Sequence, residues 1–126
     1  MIASLGLAAL ALRAGLRLRR GRIARTRRTP GQLRAHLRLA KPAIVLIFVG
    51  FVAGPLSAFW LRGWTPFSSL HAWLGLLVAS LFGLVAMLGW RLEHGRGRPV
   101  EAHGILAGLA VLAAAVAAVA GFVLLP

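Results

Sequence analysis

Cysteine and tyrosine are absent from this 126-residue chain, and Glu93 and Glu101 are its only acidic residues. Without cysteine there is no disulfide, no cysteine-ligated iron–sulfur cluster and no covalently attached c-type haem. Two acids cannot furnish a carboxylate-rich metal site, and a paired-carboxylate mechanism would occupy both of them. Ser57 and Ser80 have no evident base partner, so nucleophilic catalysis is not indicated, and an electron carrier or subunit role fits better than an enzyme.

Apolar residues dominate instead, at 60%, with only 13% charged. A soluble domain of this length could not hide so much apolar surface, whereas a bilayer accepts it from every side. The net charge of +13 would suggest nucleic acid in a soluble protein. Here the basic residues lie between apolar runs, so they are read as topology signals, with no nucleic-acid partner.

Four apolar stretches predict an all-α, single-domain membrane four-helix bundle with helices at about 2–18, 30–61, 70–90 and 99–125. The first is short or truncated. Its clean apolar part, Ile2 to Leu12, falls below the roughly 20 residues of a span, unless Arg13 and Arg17 snorkel to the headgroups. A start upstream of Met1 would also explain it. Charge follows its apolar core, unlike a signal peptide. Thr29, Pro30 and Gln32 read as a capping box opening the second helix, and Pro42 as a site for a kink near the interface. Pro99 opens the fourth helix, with Glu101 at its positive end.

Fourteen basic residues lie between Arg13 and Lys41 or between Arg91 and Arg98, while the loop after the second helix holds only Arg62. By the positive-inside rule the basic loops are cytoplasmic and both termini lie outside. This predicts a multi-pass membrane protein.

Histidines carry most of the chemical information, because polar groups near apolar spans are costly. His36 and His103 both fall near the cytoplasmic ends of their helices. At 100° per residue, the face of His36 carries Ala40, Ala43, Ile47, Gly50 and Gly54. That of His103 carries Ala107, Ala110, Ala114, Ala117 and Gly121. Such small stripes let helices approach, or leave room for a flat cofactor. Two imidazoles facing each other from different helices could ligate a haem b iron axially, with Arg34, Arg38 and Arg98 near enough in sequence to meet its propionates. On spacing alone, ordinary membrane-helix packing is the better reading and haem the alternative. His71, on a face with Gly75, Val78, Phe82 and Gly89, is either a third ligand or an interfacial residue beside Trp64 and Trp73. His94 reads as a solvated turn residue. Gly50-x-x-x-Gly54 and Gly104-x-x-x-Gly108 suggest close packing, though the motif is common.

Three segments carry a family resemblance: Arg34-Ala35-His36-Leu37-Arg38-Leu39-Ala40-Lys41 with Gly50 and Gly54; Leu70-His71-Ala72-Trp73-Leu74-Gly75; and Ala102-His103. In them the chain resembles the bacterial membrane family called domain of unknown function 4079, whose members are similar to the cytochrome b561 type. Leu5 to Leu12 followed by arginines resembles the end of that family's first helix. The resemblance implies two haem sites, the inner held by His36 and His103. The outer would pair His71 with a histidine of a His-Pro motif that this sequence does not contain, so one haem is expected and a second depends on another ligand. It implies electron transfer among membrane lipids, with membrane redox partners or a quinone. A reading from a different class is a cofactor-free structural or pigment-ligating small subunit, whose Ala-rich faces pack in an oligomer or a larger respiratory or photosynthetic complex.

Overall fold

Four helices run in sequence: α1 (Ile2–Ile23), α2 (Pro30–Arg62), α3 (Leu70–Glu93) and α4 (Val100–Val123). They are seen in a computed structural model that describes residues 2–24, 30–63, 65, 67–96 and 99–123. The chain is an all-α four-helix bundle, as its four apolar stretches predict. Neighbours in sequence are neighbours in space and α4 closes on α1, giving a square of helices. The pairs α1–α2 and α3–α4 pack most intimately and α2–α3 most loosely, while the diagonal backbones do not approach among the described residues.

Burial is inverted relative to a soluble bundle. The buried set is mostly small, Ala8, Ala11, Ala43, Ala79, Ala110 and Ala117, joined by Val78, Phe82 and Val85. Large apolar side chains such as Val49, Leu77, Leu112 and Phe122 point outward. Small residues inside and large ones outside is the pattern of helices solvated by lipid, where close backbone approach replaces hydrophobic burial as the source of association. α2, α3 and α4 are each long and apolar enough to cross a membrane. α1 does not meet that measure, since Arg13, Arg17, Arg19 and Arg20 lie exposed along its second half. On α3, Trp73 and Trp90 are exposed 17 residues apart, or about 26 Å at 1.5 Å per residue. That places the two indoles near the two interfaces of a hydrocarbon layer about 30 Å thick.

Helix ends follow local chemistry. The Ser69 hydroxyl caps α3 by accepting from the Ala72 N–H. α3 closes in a Schellman turn, with Arg96 N–H donating to the Arg91 carbonyl, Gly95 N–H donating to Leu92, and Gly95 at a φ of 67°. α1 runs five residues beyond its expected end at 18, because arginine and leucine are good helix formers and nothing in Arg19-Arg20-Gly21-Arg22 stops it. α3 likewise continues through Arg91, Leu92 and Glu93. α2 is continuous through both Pro42 and Pro55. Thr29 of the expected capping box lies outside the described residues.

Candidate functional site

Three histidines share one local arrangement. The His36 Nδ1 lies 2.9 Å from the Ala11 carbonyl of α1, and its ring rests 3.4 Å from where a Cβ on Gly15 would be. His103 on α4 places Nδ1 3.2 Å from the Val85 carbonyl of α3, against Gly89 at 3.3 Å. His71 on α3 places Nδ1 3.1 Å from the Ala117 carbonyl of α4, against Gly121 at 2.6 Å. In each case the carbonyl sits four residues before the glycine. A helical carbonyl has two lone pairs, so it can accept from the N–H four residues on and from an imidazole as well. The missing Cβ lets the ring lie flat enough on the neighbouring helix to do so.

This arrangement fixes the tautomer. A nitrogen that close to a carbonyl must be the donor, so Nδ1 carries the proton and Nε2 of the neutral ring keeps its lone pair. Histidines that ligate metals are prepared in this way, their other N–H held by a carbonyl or carboxylate.

His36 and His103 belong to the diagonal pair α2 and α4, yet their ring centroids are 6.4 Å apart with planes at 88°. An imidazole nitrogen lies about 1.1 Å from its ring centre when ring bonds are about 1.33 Å. With metal–nitrogen bonds of about 2.0 Å, two rings on opposite sides of one ion would have centres about 6.2 Å apart, and the observed centroid separation is close to that. Among the described residues no three histidine or acidic side chains converge. Two imidazoles alone make a poor site for a bare metal ion.

Ala43 on the His36 face and Ala110 and Ala117 on the His103 face are among the most buried residues of the chain, whereas Gly50 and Gly54 on the His36 face are exposed. Arg34 and Arg38 are exposed near the N-terminal end of α2. Two residues either side of His36, at about 100° per residue, they share the helix side opposite the histidine face. Arg98 lies outside the described residues. Lys41 pairs with Glu93 at 2.8 Å, tying α2 to the C-terminal end of α3. His94 is exposed, bonded to the Trp90 carbonyl and stacked on the Trp90 ring at 4.7 Å, while Arg96 lies over that ring at 4.8 Å.

His71 lies at the N-terminal end of α3 and has no second histidine near it among the described residues. It edges a cavity of about 330 Å³ walled by all four helices and the α2–α3 loop. Gly50 and Gly54 line this cavity with open space where a Cβ would be. Their G-x-x-x-G therefore makes room rather than a close helix contact. Gly104 and Gly108 likewise meet no neighbour.

The docking glycines Gly15, Gly89 and Gly121 were not singled out as histidine partners by sequence reasoning. Their signal is glycine inside an apolar helix, where alanine would be about 1 kcal/mol more favourable. No family model, curated protein or solved structure matches the chain.

Proposed function

We propose that the chain is a haem-b-binding electron carrier of a bacterial inner membrane, with its basic loops on the cytoplasmic side. The observation that carries this reading is the imidazole pair at 6.4 Å on diagonal helices, each ring held through Nδ1 with Nε2 available. His36 and His103 would be the axial ligands, and Gly15 and Gly89 the surfaces that seat them. Arg34, Arg38 and Arg98 would offer positive charge to the propionates at the inner rim. A haem with both axial positions filled has no vacancy for oxygen, so it would supply one-electron transfer. The protein's part would be to orient the rings, hold the Nδ1 protons on Val85 and Ala11, and surround the site with low-dielectric side chains. The resemblance to the cytochrome b561 type points the same way. Membrane redox partners or a quinone would complete the path.

A cofactor-free structural subunit is the second reading. What favours it is that each ring already satisfies a helix–helix hydrogen bond, which is work enough for a histidine in a packed bundle.

One spectrum separates the two. The detergent-purified protein, expressed with ample haem, should give a reduced-minus-oxidised b-type spectrum with about one haem per chain, lost in His103→Ala while helical content is kept. Full haem occupancy in that variant overturns the ligand assignment. Absence of haem in folded wild-type protein favours the structural subunit.

A further inference from the structure

We infer that the C-terminal end of α3 binds an anionic phospholipid, its phosphate on Arg96 and Arg91 and one acyl chain along the exposed side of the helix. The inference rests on α3 lying across a membrane and does not involve haem.

The exposed side of α3 changes character along its length in the order of a phospholipid's own parts. Leu77, Leu84 and Arg91 are spaced seven residues apart and so share one side of the helix, with Met87 and Trp90 beside them. All five are exposed. Toward the C-terminus this side passes from aliphatic to indole to guanidinium. Leu77 and Trp90 are 13 residues apart, or about 20 Å at 1.5 Å per residue. Half of a hydrocarbon layer is about 15 Å thick, so an acyl chain can follow the stripe through its whole leaflet.

Where the stripe ends, the turn after α3 builds a cationic platform. The Trp90 indole carries the Arg96 guanidinium, with Cζ 4.8 Å from the ring centroid. His94 packs on the same indole, with centroids 4.7 Å apart and planes at 37°. Its Nδ1 lies 2.9 Å from the Trp90 carbonyl, which holds the imidazole against the helix. The backbone is fixed as well. Gly95 takes a φ of 67° and the Arg96 N–H donates to the Arg91 carbonyl at 2.8 Å, so the chain folds back and brings Arg96 over the last turn of the helix.

Charge selects the ligand. A ring face attracts a guanidinium electrostatically, and the N–H donors of that guanidinium still call for oxygen acceptors. Among the described residues the ion pair is that of Lys41 with Glu93, and no carboxylate meets Arg91 or Arg96. Two arginines without an acid, at the depth of an interfacial tryptophan, match a lipid phosphate. A zwitterionic lipid brings its own ammonium to compete for that phosphate, so a net-anionic headgroup fits better. A free phosphate would use the arginines and leave the apolar stripe without a part.

The test is native mass spectrometry of the full chain in detergent, titrated separately with dioleoyl-phosphatidylglycerol and dioleoyl-phosphatidylcholine. One phosphatidylglycerol should be retained about tenfold more tightly than phosphatidylcholine. Arg96→Gln should weaken it about tenfold, for one lost charge-assisted bond. Trp90→Leu should weaken it severalfold, and Trp90→Phe, which keeps an aromatic face, should retain it. The chain carries a net charge of +13, so Arg20→Gln, at an exposed arginine of α1, is the charge-matched control and should bind as the wild type does. Glycerol phosphate, a headgroup without chains, should not displace the lipid. Circular dichroism checks that each variant remains helical. Equal weakening by Arg20→Gln and Arg96→Gln would reduce the binding to bulk charge and overturn the site. Unchanged binding in Arg96→Gln, equal retention of phosphatidylcholine, or displacement by glycerol phosphate would each overturn it too.

Discussion

A methyl group on Gly121 would sit 2.6 Å from Cε1 and 2.9 Å from Nδ1 of His71, whereas one on Gly15 would meet His36 at 3.4 Å, ordinary contact distance. The same substitution in the same local arrangement should therefore have opposite consequences. Gly121→Ala must push the His71 ring off the Ala117 carbonyl and is expected to cost about 1–3 kcal/mol, the usual range for overpacking. Gly15→Ala has room for its methyl, and the better helix propensity of alanine favours it by up to about 1 kcal/mol. Gly89→Ala, at 3.3 Å from His103, falls between them, because its outcome depends on a ring shift of a few tenths of an ångström. Denaturant titration of helicity in a fixed detergent would rank the three. If Gly121→Ala proved as stable as Gly15→Ala, the docking of His71 on α4 would be wrong. At this scale the sequence was half legible. The faces of His36 and His103 could be read because a helix repeats every 3.6 residues, and Ala43, Ala110 and Ala117 are buried as those faces require. Which glycine each ring rests on could not be read, because it depends on how far one helix slides along the next.

At the scale of elements, terminators were the least legible part. The turn after α3 was visible as a Gly/Arg stretch, but periodicity does not say which of Gly95 and Gly97 stops the helix. The hydrogen bonds show that Gly95 does, with Arg96 N–H reaching the Arg91 carbonyl at 2.8 Å. A side chain at φ 67° costs roughly 1 kcal/mol, so Gly95→Ala should lower stability by about that amount without touching the inner histidines. With the proposed haem bound, the expected signature is a shifted denaturation midpoint with an unchanged haem content. A fall in haem content instead would mean that the end of α3, and with it the position of Gly89, is set by this turn. Ser69 was placed in the loop by the apolar pattern, and its capping role follows from the side-chain bond to Ala72. The length of α1 was underestimated because charge was read as a boundary, whereas arginine is a good helix former and an exposed helix face accepts it.

For the whole molecule, the inverted burial pattern and the distribution of charge make separate statements. The exposed large apolar residues of α2, α3 and α4 say that the bundle sits in lipid, and they hold for either orientation. Orientation comes from charge alone, fourteen basic residues on one side against Arg62 on the other. The imbalance is large enough to be tested without disturbing it. The chain has no cysteine, so a single introduced thiol reports its own side. Ser68 and His94 are both exposed and lie at opposite ends of α3, and neither substitution alters the basic count. In intact cells Ser68→Cys should react with a membrane-impermeant maleimide, and His94→Cys should react only after permeabilisation. The converse pattern would put the His36–His103 pair at the outer face and His71 at the inner one, overturning the proposed sidedness while leaving the bundle intact. Labelling of both in intact cells would show two orientations coexisting, which a charge difference of this size should prevent.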